Sequence, residues 1–153
     1  ARPQLEACLK SLREGDTCQF FGPRRSLDLS GLAAPVVLFG DETSFGLAAA
    51  LRDSPQGADA IHVFEGSDVA ELRPVLEAIG LSQATLIERT AGETHLAAAE
   101  AEALRLAASG AHFILTGKAS SIQRVGRALK AAGVVSSRMK AKAYWSQGKT
   151  GLD

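Results

Sequence analysis

The sequence predicts an α/β domain with an open parallel sheet of about five strands in three layers. From Pro35 onward, short apolar runs alternate with stretches of helical periodicity. The runs are continuously apolar, which is typical of strands buried on both faces of a parallel sheet. The chain has 153 residues, of which 46% are hydrophobic, and this suits a single domain with an ordinary core.

The predicted elements follow one another at short intervals. Strands are expected at residues 36–39, 60–64, 84–88, 111–116 and 139–145. Helices are expected at residues 45–52, 67–79, 93–109 and 120–132. Gly80, Gly110 and Gly133 mark helix ends, and Ser67 or Asp68 caps the second helix. Pro74 is expected to kink or split that helix.

Residues 1–33 do not share this alternation. A helix is predicted at residues 5–13, a short strand at 16–21 and a turn at Gly22-Pro23-Arg24-Arg25-Ser26. We interpret them as the end of a different module that joins the α/β unit near Ser30-Gly31.

Composition excludes several classes of protein. No apolar run has the roughly 20 residues of a membrane helix, and the N-terminus lacks a signal peptide's apolar stretch. Cys8 and Cys18 form no disulfide framework and have no zinc spacing with the three histidines. A cytoplasmic location and no metal site are therefore expected. His62 and His112 lie inside apolar strands and are interpreted as hydrogen-bonded core residues.

Charge is distributed unevenly although the formal net charge is zero. Residues 103–152 contain nine Lys and Arg and no acid, whereas residues 1–102 contain eight basic and sixteen acidic residues. Such a split favours an anionic partner for the C-terminal segment, unless the two halves neutralise each other across the fold. A pI near 7.1 argues against nucleic acid as that partner.

Two loops should lie at the carboxyl ends of strands, where open α/β sheets bind ligands. Gly40-Asp41-Glu42-Thr43-Ser44-Phe45-Gly46 offers hydroxyl and N–H groups to a phosphate, although its acids could equally cap the helix. In Thr116-Gly117-Lys118-Ala119-Ser120, Gly117 would let a ligand approach the backbone and Lys118 adds a positive charge. A plain strand-to-helix turn explains this second loop almost as well.

Three further features belong to the same edge of the sheet. Glu65 has nearly the spacing of an acid that binds the ribose of NAD, and Arg89 could instead meet a 2′-phosphate. Both are also ordinary charges at strand ends. Tyr144 and Trp145 could stack on a flat cofactor ring, or one could pack on the core while the other caps the strand.

These segments together resemble the siderophore-interacting proteins, FAD-dependent ferric-siderophore reductases of the ferredoxin–NADP reductase superfamily. The family has a GP-x-G/R-S turn, a GDET loop, an AGE-like loop and a terminal YW-x-x-G. The matching segments here occur in the same order: Gly22-Pro23-Arg24-Arg25-Ser26-Leu27, Leu38-Phe39-Gly40-Asp41-Glu42-Thr43-Ser44, Ile114-Leu115-Thr116-Gly117-Lys118-Ala119-Ser120, and Ala143-Tyr144-Trp145 with Gly148.

The resemblance implies a division of the chain. Residues 1–30 would be the end of an FAD-binding barrel, and residues 31–153 a ferredoxin–NADP reductase-like NAD(P)H-binding domain. Asp41 to Ser44 and Thr116 to Ser120 would line the nicotinamide and pyrophosphate cleft, with Tyr144 and Trp145 near the flavin. NADPH is preferred slightly over NADH because of Arg89. Lys140, Lys142 and Lys149 would attract an anionic ferric siderophore.

Two departures from the family pattern affect this interpretation. Lys118 stands where the family usually has Glu, and the family's Arg-x-Tyr-Ser/Thr flavin motif is absent, since Tyr144 is the only tyrosine. FAD would be held mainly by residues outside this chain, which is either a fragment of a longer flavoprotein or the partner of a flavin-bearing chain. The expected activity is electron transfer from NAD(P)H through FAD to ferric siderophore, with release of Fe(II) and no catalytic side chain. The alternatives are a non-catalytic nucleotide-binding or interaction module, and another reductase of the superfamily.

Overall fold

The computed structural model describes residues 11, 13–17 and 27–148. Five strands, β1 (Val36–Gly40), β2 (Ile61–Gly66), β3 (Thr85–Glu88), β4 (His112–Lys118) and β5 (Met139–Trp145), form one sheet. The strand order is β3-β2-β1-β4-β5 and every pairing is parallel. The predicted sheet is confirmed. Because the chain winds outward from β1 to β3 and then returns to place β4 on the other side of β1, the strand order reverses between β1 and β4.

Four helices cover the two faces of this sheet: α1 (Phe45–Arg52), α2 (Val69–Ala78), α3 (Leu96–Ala108) and α4 (Ala119–Ala131). Alternate residues of the central strands point to opposite faces. Val37 and Phe39 pack with α3 and α4, whereas Val36 and Leu38 pack with α1 and α2. The two buried clusters give the predicted three layers.

Some boundaries differ from the sequence predictions for local reasons. The second helix is not split: it is one helix, capped by the Asp68 side chain, with Pro74 on its exposed side. The third helix begins at Leu96 rather than Glu93, because Gly92 and Glu93 have φ values of 71° and 60°. Strand β2 continues to Gly66, so Glu65 lies within the sheet.

The two strand histidines lack the hydrogen bonds expected of them. His62 Nε2 and His112 Nδ1 are buried without a hydrogen-bond partner among the described residues. Burial, and then the Arg52 guanidinium, hold the pKa of His62 below its usual value. His62 is therefore a neutral imidazole near pH 7.

The remaining sequence predictions concern membrane helices and the segments near the two ends of the chain. The described part of the chain contains no helix that is long and apolar enough to cross a membrane. The predicted Gly22–Ser26 turn, most of the predicted elements at 5–13 and 16–21, and Lys149 lie outside the described residues.

Candidate functional site

The carboxyl edge of the sheet gathers most of the residues that the sequence singled out. A crevice is expected there between β1 and β4, where the strand order reverses. The segments that follow β1, β2, β3 and β4 all contribute polar side chains to this edge, and the end of β5 adds an indole. These groups make direct contacts with one another across the sheet.

Asp41 takes part in several of these contacts and is fully buried. Its Oδ1 accepts hydrogen bonds from the backbone N–H of Thr43, at 3.0 Å, and from the Thr43 hydroxyl. Its Oδ2 accepts a 2.7 Å hydrogen bond from Trp145 Nε1. Asp41 therefore caps the 3₁₀ turn Glu42–Ser44 and fastens the end of β5 to the end of β1. The capping interpretation of this acid is confirmed.

The two loop glycines make room for neighbouring side chains. Gly117 has φ of +105°, and a Cβ there would lie 2.5 Å from Asp41 Oδ2. A Cβ on Gly40 would collide with the Ser44 side chain, whose Oγ accepts a 2.8 Å hydrogen bond from Thr116 Oγ1. The Asp41 carboxylate fills the space that a Cβ on Gly117 would occupy, and the approach of a ligand to the Gly117 backbone stays a prediction.

A bulge at the end of β5 determines where Trp145 lies. Gly117 is paired with Ala143, whereas the next residue of β4, Lys118, is paired with Trp145, so Tyr144 is the extra residue. Because of this extra residue, the Tyr144 and Trp145 side chains do not follow the strict alternation of faces expected along β5. The indole reaches Asp41 and lies near two cations, with Arg89 Cζ and Lys118 Nζ each 5.7 Å from its ring centroid.

Arg89 spans the edge from β3 to the β1 loop. Its Nη2 lies 3.2 Å from Glu42 Oε2 and 3.9 Å from Glu65 Oε1, and its Nη1 donates to Ser67 Oγ at 3.0 Å. Arg89 Nε is buried with no hydrogen-bond partner among the described residues. The guanidinium is therefore partly neutralised by two carboxylates.

Glu65 is 1% exposed and forms a buried pair with His95. His95 Nε2 lies 2.5 Å from Glu65 Oε2, and His95 Nδ1 accepts a hydrogen bond from the backbone N–H of Thr90 at 3.2 Å. Since Nδ1 is an acceptor, the hydrogen-bond pattern assigns a proton to Nε2, which donates to the carboxylate. Glu65 is thus a buried partner of His95 and Arg89, and it does not present an exposed carboxylate to a ribose.

Lys118 is also paired. Its Nζ lies 2.6 Å from Glu93 Oε1, which accepts a second hydrogen bond from Ser120 Oγ at 2.7 Å. These hydrogen bonds, led by that from Lys118, hold the pKa of Glu93 below its ordinary value. The positive charge that the sequence analysis assigned to this loop is therefore held by an acid on another loop.

Lys140 and Lys142 lie on the sheet face opposite α4. Their β4 partners are Ile114 and Thr116, and Ile114 packs on the α1 and α2 side. Neither lysine has an acidic partner in the portion that the structure describes. Burial, and then the charge of Asp41, raise the pKa of Tyr144.

The C-terminal positive charges differ in their partners. Arg105, Lys118 and Arg124 pair with acids at 93–102, while Lys130, Lys140 and Lys142 form no ion pair with a described residue.

A mainly apolar groove lies away from this edge. It has a volume of about 440 Å³, lies between α4 and β5, and is lined in part by Ile122, Gly126 and Met139. It contains none of the residues predicted for the site. Among residues 13–17 and 27–148, no cluster of three or more His, Cys, Asp and Glu could hold a metal ion.

Sequence reasoning did not anticipate Glu93 and His95. The left-handed backbone at Glu93 gives no sequence signal beyond the preceding Gly92. The segment Thr90–His95, with a hydroxyl residue before the helix and reciprocal hydrogen bonds between its ends, resembles a capping motif that could have been sought. The contact between His95 and Glu65 depends on tertiary packing.

The strand order defines the class of fold: the chain is an open parallel α/β domain whose strand order reverses between β1 and β4. The family model for siderophore-interacting proteins matches residues 33–148, and the chain therefore belongs to that family.

One solved structure shares this fold. The siderophore-interacting protein from Acinetobacter baumannii has a TM-score of 0.53 and 16% identity, and the match covers 97% of this chain and 60% of that one. This chain thus spans about three fifths of the length of that protein. The flavohem-like FAD/NAD-binding domain of nitric oxide dioxygenase from Vibrio cholerae O1 biovar El Tor has a TM-score of 0.38 and 15% identity, over 85% of this chain and 56% of that one. No curated protein matches the chain.

Proposed function

We propose that this chain is the NAD(P)H-binding portion of a flavin-dependent reductase that transfers electrons through FAD to a ferric siderophore and releases Fe(II). The observation that carries the proposal is a cluster of polar side chains at the reversal of strand order in a chain of this family. In such sheets, ligands bind outside the carboxyl ends of the strands at that reversal. The oxidoreductase would be the complete flavoprotein, and this chain alone would be inactive.

The residues at the crevice have the chemistry that a dinucleotide requires. Lys118, Ser120 and Arg89 can donate to phosphate oxygens, and Trp145 offers an aromatic face next to them. All four already contact other side chains of the protein. The crevice also holds four carboxylates, on Asp41, Glu42, Glu65 and Glu93, close to the two cations. We therefore expect the chain to bind a dinucleotide weakly.

Flavin would be held mainly by residues outside this chain, with Tyr144 and Trp145 beside it. When bound, FAD would supply the redox chemistry that links a two-electron hydride donor to one-electron acceptors such as Fe(III). The residues described here would orient the nicotinamide and exclude water, and none needs to act as an acid or base. Because Asp41 holds the Trp145 indole at the crevice, we assign it the positioning of that ring.

The 2′-phosphate of NADPH would meet Arg89 in this proposal. The guanidinium lies at the end of β3, and its side chain is 17% exposed. Glu42 and Glu65 reduce its positive potential, so the preference for NADPH over NADH would be slight.

An anionic ferric siderophore would be attracted by Lys140 and Lys142, together with Lys149. Lys140 and Lys142 share one face of β5 and have no acidic partner among the described residues. Lys142 lies two residues before Tyr144, and Lys140 lies four residues before it. A positive field raises the local concentration of an anion and its association rate, and salt screens this effect.

The proposal is tested in the full-length protein that contains this chain. Replacing both Lys140 and Lys142 with Gln should slow reduction of an anionic ferric chelate, most at low salt, while reduction of a neutral acceptor barely changes. Release of Fe(II) is followed with a chromogenic chelator and NADPH oxidation by absorbance. If the wild-type protein reduces ferredoxin or flavodoxin but no ferric chelate, the siderophore-reductase assignment is wrong. If it binds NADPH but oxidises it with neither kind of acceptor, the chain is a binding module.

A further inference from the structure

The Glu93 carboxylate binds two of the donors that the sequence predicts for a dinucleotide, Lys118 and Ser120. Glu93 Oε1 accepts hydrogen bonds from Lys118 Nζ at 2.6 Å and from Ser120 Oγ at 2.7 Å. The same ammonium lies 5.7 Å from the Trp145 ring centroid. A carboxylate thus makes, within the protein, the contacts that an external anion would make with these two residues.

Glu93 reaches this position through an unusual backbone conformation. It has φ of 60°, and it is the one non-glycine residue with positive φ in the described part of the chain. A left-handed conformation costs a residue with a side chain roughly 1 kcal/mol. Lys118 and Ser120 hold its side chain, and Arg124 Nη1 donates to its carbonyl oxygen at 3.1 Å. These contacts offset the unfavourable backbone.

The loop that carries Glu93 has space to move. Its carboxylate-bearing side chain is 32% exposed, and a Cβ on the neighbouring Gly92 would have no atom within 4 Å. The ends of the loop are anchored separately, because Thr90 and His95 exchange backbone-to-side-chain hydrogen bonds at 3.2 and 3.0 Å. Displacement of the carboxylate would therefore leave the start of α3 in place.

We propose that Glu93 is an internal competitor of the dinucleotide phosphates, which must displace its carboxylate from Lys118 and Ser120 in order to bind. The inference rests on the proposed function and adds a regulatory contact to that site. One ammonium cannot be fully neutralised by Glu93 and by a phosphate at the same time, and a negative carboxylate left beside the phosphate would repel it. The exchange involves no covalent step.

The competitor should weaken binding by an amount that one variant can measure. Glu93→Gln keeps the length and the hydrogen-bonding oxygen of the side chain but removes its charge. We expect NADPH and inorganic pyrophosphate to bind this variant about fivefold more tightly, which corresponds to about 1 kcal/mol and to the upper range of an exposed ion pair.

Glu102→Gln is the matched control, because it makes the same change in net charge. Glu102 pairs with Arg105 on the surface of α3 and contacts no residue of the crevice. Lys118→Gln removes the shared donor and should weaken binding of both ligands. Glu93→Gly provides an independent variant, since glycine adopts positive φ without strain and removes the carboxylate altogether.

The experiment is a calorimetric titration of the 153-residue chain and its variants with NADPH and with pyrophosphate, alongside circular dichroism to check folding. Tighter binding to Glu93→Gln and Glu93→Gly, with Glu102→Gln equal to wild type, is the expected result. If wild type binds both ligands but the Glu93 variants bind equally or more weakly, Glu93 is not a competitor, and the proposed function is unaffected. If no variant binds either ligand, the proposed function fails, and the inference fails with it.

Discussion

Gly117→Ala tests whether the hydrogen bonds that Asp41 accepts hold the carboxyl edge of the sheet together. The new Cβ would lie 2.5 Å from Asp41 Oδ2 and 2.6 Å from its Cγ, whereas ordinary contacts begin at 3.4 Å. The carboxylate must therefore move by about 0.9 Å, or the backbone must shift by a similar distance. A movement of that size would break the 2.7 Å hydrogen bond from Trp145 Nε1 and strain those from Thr43.

The expected loss in the free energy of unfolding of Gly117→Ala has two parts. Alanine at φ of +105° costs about 1.5 kcal/mol for the backbone alone. Losing a hydrogen bond to a buried carboxylate adds about 1.5 to 3 kcal/mol. We expect the free energy of unfolding to fall by about 4 kcal/mol in total, which is a large part of the stability of a domain this size.

Two control variants separate these parts. Gly110 has φ of +85° at the end of α3, and a Cβ there would meet nothing within 4 Å, so Gly110→Ala measures the backbone cost alone. Gly126 lies inside α4, where a Cβ would be 3.5 Å from Leu115, so Gly126→Ala should be neutral or slightly stabilising.

The assay is urea unfolding followed by far-ultraviolet circular dichroism, with the fluorescence of Trp145, the only tryptophan, as a local probe. Combining Gly117→Ala with Asp41→Ala should recover part of the loss, because the collision then disappears. The reasoning would be refuted if Gly117→Ala cost no more than Gly110→Ala.

Three further predictions concern the charged groups of the same edge. His95→Ala should lower the free energy of unfolding by about 3 kcal/mol in urea titrations, because it leaves the buried Glu65 with only Arg89 at 3.9 Å; adding Glu65→Ala should cost little more. The pKa of Glu93 is lowered from its ordinary value of 4.5, so the folded protein binds fewer protons there than the unfolded chain. The resulting stability is present above pH 4.5 and is lost as the pH falls through the lowered pKa. Glu93→Gln should therefore lose less stability than wild type on acidification. Arg89→Ala in the full-length protein should raise the KM for NADPH and leave that for NADH nearly unchanged in steady-state kinetics, and equal effects on both would remove Arg89 from the 2′-phosphate site.

The layered sheet could be predicted because its signals are local. Continuous apolar runs such as Val36–Phe39 identify strands buried on both faces, and glycines such as Gly80 mark where helices end. The predicted bounds of the first helix and the last strand agree with α1 and β5. Pro74 does not split α2, which is continuous from Val69 to Ala78, and a kink at this proline stays a prediction.

The contacts within the crevice could not be predicted, since they join residues far apart in the sequence. Trp145 and Asp41 are separated by 104 positions, and their contact depends on a bulge that puts Tyr144 out of register. The pairing of Lys118 with Glu93 joins two loops that are 25 positions apart. Positive φ at a glutamate has no compositional signature, so this pairing emerges only when the loops are brought together.

The most direct test of the account is the map of backbone amide shifts when NADPH is added to the isotope-labelled 153-residue chain. The account predicts that the shifts cluster at residues 40–46 and 116–120, with weaker changes near Arg89, and that the indole N–H of Trp145 moves as its contact with Asp41 is perturbed. Shifts confined to the amino ends of the strands, around His62 and the start of β4, would contradict the placement of a dinucleotide at the crevice.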